Sequence, residues 1–204
     1  MVIILAAGPM NRWTGPTPKH LVVVDGEPLL HRTCRKVAAL GFSAERIVIA
    51  VCEERPYRID GPTRFIPRDR SSTRATLLSV MSVFLSSDPN RYLTVLLGDV
   101  FYTDEAIASI LSFDPKDSVA VFMDGGEIFA VRFSRMQEEA VRDALLRAEL
   151  RGDNNGRLWN AFLHIHAKVD RVLISDRTQD FDTVDEYLDF LRGKSKNALL
   201  SQKR

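Results

Sequence analysis

Between Met1 and Asp99 short apolar runs alternate with stretches of helical periodicity, and no other feature of the chain restricts its fold as much. "MVII" and "RIVIAVC" are continuous apolar runs of the kind buried on both faces of a sheet, "TRFIP" holds a short third strand, and "YLTVLLGD" is a fourth. Between them Pro28 opens a helix with Leu30, Cys34 and Val37 at i, i+4 and i+7, which stops at Gly41. A second helix is capped around Ser72 and carries Leu77, Met81 and Phe84 along one face. Strand, helix, strand, helix, strand builds a parallel sheet covered on both faces, so the fold class is α/β.

Ligands of such sheets bind beyond the carboxyl ends of the strands. Two segments lie there: the opening loop "LAAGPMNRWTGPTPKHL" and the "GDV" turn. Pro9, Gly15, Pro16 and Pro18 rule out a helix after the first strand. A stiff loop that carries Arg12 and Lys19 is suited to holding an anion.

The second half is less regular. Thr103 is expected to cap a helix to about Ser112, "SVAVFM" and "EIFAVRF" to pair around "DGGE", and Ser134 to open a helix to about Leu150. "GRLWNAFLHIH" reads as helical, and "RVLIS" reads as a strand. "TVDEYLDFLRG" reads as a helix with a capping box from Thr183 to Glu186 and a stop at Gly193.

A chain of 204 residues holds one full core, so residues 1–193 are expected to form a single domain with a short acceptor-binding part. The basic segment 194–204, "KSKNALLSQKR", reads as a flexible tail. A formal net charge of +1 argues against a general nucleic-acid-binding surface. Cys34 and Cys52 fall in apolar patterns typical of reduced thiols. "MVIILAA" lacks a basic leader and is too short for a membrane segment, so no membrane partner and a cytoplasmic location are expected.

If the sheet forms, Arg12 and Lys19 meet Asp99 at the end of "VLLGD" and Asp180 and Asp182 before the last helix. Arginine grips phosphate oxygens with two parallel donors, lysine acts as a point charge, and backbone N–H groups around Gly8 can form an anion nest. Mg2+ prefers one or two carboxylates completed by phosphate oxygens and waters. This set therefore suits a nucleoside triphosphate with magnesium.

"LAAG" followed by an arginine and then "PK", with "GEPLL" beyond, resembles the opening signature of the nucleotidyltransferases that make sugar nucleotides and related activated phosphates. "LLGDV" is similar to that family's metal-binding aspartate strand, "DFDTVDEY" to its closing segment, and "SSTRATLLSV" sits where the family starts a helix beside the nucleobase. The resemblance implies a Rossmann-like, mostly parallel sheet with helices on both faces and magnesium-dependent transfer of a nucleoside monophosphate from NTP to a small phosphorylated acceptor.

By position, it implies that residues 1–98 are mainly the nucleotide-binding half and residues 99–182 the acceptor-binding and metal half. Leu5, Ala6, Ala7, Gly8, Met10, Asn11, Arg12, Lys19 and Gly98 would line the nucleotide, with Ser72 and Thr73 beside the base. Asp99 and Asp182 would bind metal, with Asp180 the rival to Asp182. Lys19 and Arg12 would be the catalytic pair, orienting the triphosphate and stabilising charge on departing pyrophosphate. The family usually has glycine two residues after Gly8, where this chain has Met10.

Each feature has a plainer alternative. Asp99 could satisfy backbone donors at a strand end, and Asp180, Asp182 and Thr183 could be no more than a helix N-terminus. His164 and His166 read as packing or hydrogen-bonding residues, and "RFIPRDRSSTR" as a solvated face. Two other functions stay open: a glycosyltransferase, although "LGDVF" offers one aspartate where a pair is expected, and a nucleotide sensor without turnover. A dinucleotide oxidoreductase is disfavoured because "GPMNRW" lacks GxGxxG. A sugar 1-phosphate or a phosphocholine-like alcohol phosphate fits the short second half; the oligomeric state is not assigned.

Overall fold

A computed structural model describes residues 1–7, 12–52, 59–84, 92–124, 127–151, 161–162 and 165–193. The main strands are β1 (Val2–Ala6), β4 (Ile47–Val51), β5 (Thr63–Phe65), β6 (Tyr92–Leu97), β8 (Ser118–Asp124), β9 (Glu127–Ser134) and β10 (Lys168–Leu173). They form one seven-stranded sheet in the order β10-β8-β9-β6-β1-β4-β5. Pairing is parallel at β10–β8, β6–β1, β1–β4 and β4–β5, and antiparallel on both sides of β9.

Period-two alternation along the strands feeds two cores. Ile3, Val48 and Val95 pack under α2 (Thr73–Phe84) and α4 (Glu138–Leu150) through Leu77, Met81 and Leu145. Val2, Ile4 and Ile49 face α1 (Leu29–Ala39) and α3 (Asp104–Ser112) through Leu30, Val37 and Ile107. The sheet is thus covered on both faces, and α/β Rossmann-like architecture follows from burying both sides of each strand.

Several element boundaries differ from the sequence expectation for local reasons. Pro28 is the N-cap of α1 rather than its first residue, and it also pairs in a hairpin of β2 (Val23–Val24) and β3 (Glu27–Pro28). Asp25 and Gly26 both have positive φ, 51° and 81°, which is the backbone of a tight two-residue turn. α4 begins at Glu138, because Ser134 and Gln137 bond side chain to side chain and Arg135–Gln137 form a 3-10 turn first. β10 starts at Lys168, ahead of "RVLIS", and Ile174 and Ser175 fall outside it. At the edge of the sheet none of its side chains is fully buried, and Lys168, Asp170 and Arg171 break up the apolar pattern.

Of "GRLWNAFLHIH", Ala161 and Phe162 are helical and buried; Trp159, Asn160 and His164 lie outside the described residues, as does the segment 194–204. His166 meets Arg147 at 2.9 Å, in keeping with a hydrogen-bonding role. Arg74 departs from the solvated-face reading. It is 2% exposed and pairs with Glu149 at 3.0 Å between α2 and α4. Cys34 and Cys52 are both free thiols. Among the described residues no helix is long and apolar enough to cross a membrane.

Candidate active site

From Arg12 onward the opening loop folds on itself. Trp13 Nε1 donates to the Thr17 carbonyl at 2.7 Å, and the indole lies so close over Gly15 that a Cβ there would sit 2.7 Å from Nε1. Pro18 then starts a 3-10 turn, Lys19–Leu21, which buries Lys19 and His20. Past the turn, Val22 and Val24 join a third apolar cluster with Leu29, Phe101, Phe181 and Phe190. This cluster holds the loop against three short elements: the β2–β3 hairpin, the ladder of β7 (Val100–Phe101) with β11 (Gln179–Asp180), and α5 (Val184–Leu191).

Asp99 enters from the end of β6. Gly98 N–H donates to the Leu5 carbonyl at 2.8 Å, and a Cβ on Gly98 would lie 2.8 Å from that oxygen and 3.0 Å from Ala6 Cβ. A close approach of this kind requires glycine. Asp182 enters just before α5. Thr183 caps the helix by accepting from Glu186 N–H, and Glu186 Oε2 accepts the Asp182 N–H at 2.7 Å. The capping box thus closes one residue earlier than its usual form, on Asp182 instead of Thr183, and so fixes the backbone of that acid.

Lys19 Nζ lies 2.9 Å from Asp99 Oδ2 and 3.4 Å from Asp182 Oδ1, and Arg12 Nη1 lies 2.6 Å from Asp182 Oδ2. The Lys19 side chain is 8% exposed and that of Arg12 58%, so the lysine is a fixed charge and the arginine can reorient. Burial pulls the Lys19 ammonium down, but Asp99, Asp180 and Asp182 outweigh it and hold the group above the ordinary lysine value. Asp180 contributes through its charge and through backbone pairing with Val100.

The structure therefore brings Arg12, Lys19, Asp99 and Asp182 together, with Asp180 beside them and Leu5, Ala6, Ala7 and Gly98 at the adjoining strand ends. Gly8, Met10 and Asn11 lie outside the described residues. Ser72 accepts from Ala75 N–H as the cap of α2 and donates to Glu149 at 2.9 Å, which ties α2 to α4; Thr73 is half-buried in the first turn. Two aromatic supports escaped the sequence reading. Tyr187 donates to the Val23 carbonyl at 2.6 Å and meets the edge of Trp13, with ring centroids 6.2 Å apart. Their only sequence signal is a large aromatic on a polar loop and another on the first turns of a short helix.

Among the described residues no group of three or more His, Cys, Asp or Glu side chains converges as a cation cage. Asp99 and Asp182 both border the Lys19 ammonium, so the donor set beside it is a pair of hard carboxylates with other positions left for ligand. That set fits a Mg2+ or Mn2+ ion that keeps waters and phosphate oxygens.

Residues 2–169 match the MobA-like NTP transferase domain. No curated protein matches the chain in sequence. Among solved structures, the fold is similar to that of Rv0371c from Mycobacterium tuberculosis H37Rv (21% identity, 94% of this chain and 96% of that one, TM-score 0.68), a protein also solved in complex with manganese. It is similar to 4-diphosphocytidyl-2C-methyl-D-erythritolsynthase from Anaerococcus prevotii (14% identity, 94% and 95% coverage, TM-score 0.66). It is also similar to CTP:phosphocholine cytidylyltransferase from Streptococcus pneumoniae (14% identity, 94% and 97% coverage, TM-score 0.60). At these identities the likeness establishes the fold.

Proposed function

The chain belongs to the MobA-like NTP transferase family, and from that premise we propose that it moves a nucleoside monophosphate from an NTP to a small phosphorylated acceptor, with release of pyrophosphate and with magnesium as cofactor. The observation that carries the reading is the buried Lys19 ammonium held between Asp99 and Asp182, with Arg12 on the outer face of Asp182. One carboxylate is enough to balance the charge of a structural lysine, as Asp104 does for Lys36. Two acids and two cations at the carboxyl ends of β1 and β6 match the charges of a metal-bound triphosphate.

In this reading Asp99 and Asp182 hold the metal, which supplies charge neutralisation at the phosphates when bound. Asp180 is held in reserve as the alternative to Asp182. Lys19, fixed by burial, orients the phosphates, and Arg12 swings from Asp182 to grip phosphate oxygens bidentately. Leu5, Ala6, Ala7, Gly8, Met10, Asn11 and Gly98 border the nucleotide, and the α2 N-terminus with Ser72 and Thr73 lies toward the base. The acceptor phosphate is anionic near neutral pH and attacks the α-phosphorus in line without a dedicated base. Charge that gathers on the departing pyrophosphate is met by Lys19 and Arg12. The solved relatives support a phosphorylated sugar or alcohol phosphate as acceptor: one is named for phosphocholine, and manganese in Rv0371c supports a divalent ion.

The test is pyrophosphate release by the full chain with each common NTP against a panel of sugar 1-phosphates and alcohol phosphates, with Mg2+ and with EDTA. Release that needs one NTP, one acceptor and the metal together is expected. No release across the panel, from protein that still binds Mg-NTP, would replace this reading with a nucleotide sensor.

A further inference from the structure

We infer that Tyr102, a fully buried residue outside the charged cluster, is a positioning residue for Asp99: its hydroxyl is wedged between β6 and β9 where the two strands part, and it holds open the carboxyl end of β6 from which Asp99 projects. The inference rests on the metal role proposed for Asp99 but is carried by separate geometry.

β6 and β9 pair antiparallel from Tyr92↔Ser134 to Leu96↔Ala130, and there the ladder stops. Continued by one step, it would join Leu97 to Phe129. Instead the Tyr102 hydroxyl takes both places. It accepts the Leu97 N–H at 3.0 Å and donates to the Phe129 carbonyl at 2.5 Å. The ring is 1% exposed within the core beneath α1 and α3, and burial holds the phenol well above its ordinary value, so it stays a donor. The side chain therefore closes a loop on its own chain, from Leu97 through Gly98 and Asp99 to Tyr102. Gly98 N–H, on the opposite side of β6, carries the β1 ladder one step further onto the Leu5 carbonyl.

The other end of this loop is fixed as firmly. The Tyr102 carbonyl accepts Lys36 Nζ at 2.7 Å, and Lys36, 6% exposed, also pairs with Asp104 at 2.7 Å. Val100 and Phe101 are held in the ladder with β11. Asp99 is thus clamped between Gly98 on β1 and Val100 on β11, and the tyrosine hydroxyl sets where the loop starts. Removing that one oxygen leaves the ring in the core and lets Leu97 and Phe129 move together, which shifts the base of Asp99 without touching its charge.

Tyr102→Phe, in the full chain, is compared with wild type and with Ile110→Val, a mild truncation in the same core. Four readouts are taken: melting temperature, Mn2+ affinity by titration, amide hydrogen exchange over residues 98–101, and kcat and KM for NTP. Tyr102→Phe is expected to speed exchange at residues 98–101 and to weaken Mn2+ binding by about ten- to a hundredfold, as loss of an outer support of a metal ligand does. It should also lower kcat more than it raises KM for NTP. Ile110→Val should lower the melting temperature without altering the other three. Tyr102→Phe that loses stability yet keeps wild-type Mn2+ affinity, or leaves exchange at residues 98–101 unchanged, would overturn the inference. A wild-type protein that binds no Mn2+ contradicts the metal reading of Asp99, and the exchange measurement alone then decides the wedge.

Discussion

Lys19 and Asp99 meet at 2.9 Å although they lie on segments that follow different strands, β1 and β6, and 8% of the lysine side chain is exposed. Parallel neighbours in the sheet deliver their carboxyl ends to one place, and the third apolar cluster brings Asp182 in from the last helix. A charge so buried is held for its position. Lys19→Met should cost about a hundredfold in kcat/KM, or about 3 kcal/mol of transition-state stabilisation, as loss of one preorganised donor does. Arg12→Lys should also be costly, because an ammonium cannot replace a bidentate fork. Steady-state pyrophosphate release checks both, and wild-type rates in both would remove the phosphate clamp.

Asp99→Asn and Asp182→Asn should each abolish turnover while the protein still melts cooperatively. Each substitution is near-isosteric, and Lys19 keeps the other acid as partner. Asp180→Asn should retain most activity, since Asp182 is the acid that meets both Lys19 and Arg12 directly. The reverse order of Asp180 and Asp182 would reassign the second ligand.

Gly98→Ala tests the strand end itself. The added Cβ would lie 2.8 Å from the Leu5 carbonyl, so backbone must move. Overpacking of this kind destabilises by about 1–3 kcal/mol, read as a lower denaturant midpoint. Activity should fall further than that loss explains, because Asp99 is the next residue. An unchanged midpoint would show that β6 has room to retreat.

Most of the sheet was legible because its strands are buried on both faces and read as unbroken apolar runs, as in "IVIAV". Arg12, Lys19 and Asp99 were legible for the same reason, since loops that follow such strands must share one edge, whereas Asp180 and Asp182 were legible through the resemblance of "DFDTVDEY" to the family's closing segment. What escaped was set by partners distant in sequence. The strand read at "RVLIS" starts three residues earlier, at Lys168, because its ladder runs along Ser118–Met123, and Arg74 is buried because Glu149 of α4 awaits it. The Asp25–Gly26 turn carries its own local signal, an Asp-Gly pair between two short extended segments. Tyr102 gave no sign at all, since its hydroxyl acts on strands that only the folded sheet brings together.

Asp176 gives the fold an acid-sensitive joint. Burial raises its pKa, but the hydroxyls of Thr103 and Thr178 and the Thr178 N–H, at 2.7 Å, outweigh this and hold it below the usual 3.8. A depressed carboxyl contributes stability above its unfolded value and loses it as pH falls through the folded one. Stability should therefore drop below about pH 4 as the α3 cap held by Thr103 loosens. Asp176→Asn should be less stable than wild type at neutral pH, with the gap closing in acid. Urea midpoints between pH 3 and pH 7 check this, and a constant gap would remove Asp176 as the cause.

The most direct measurement of the central claim follows both parts of one labelled NTP, with isotope in the α-phosphorus and a second label in the β and γ phosphates. With Mg2+ and the matching acceptor, the α label should appear in the nucleotide-linked acceptor and the β,γ label in pyrophosphate, in equal amounts. EDTA, or Asp99→Asn, should stop both. An α label that stays in free nucleoside monophosphate, or an acceptor that gains the γ phosphate instead, would contradict nucleotidyl transfer by this site.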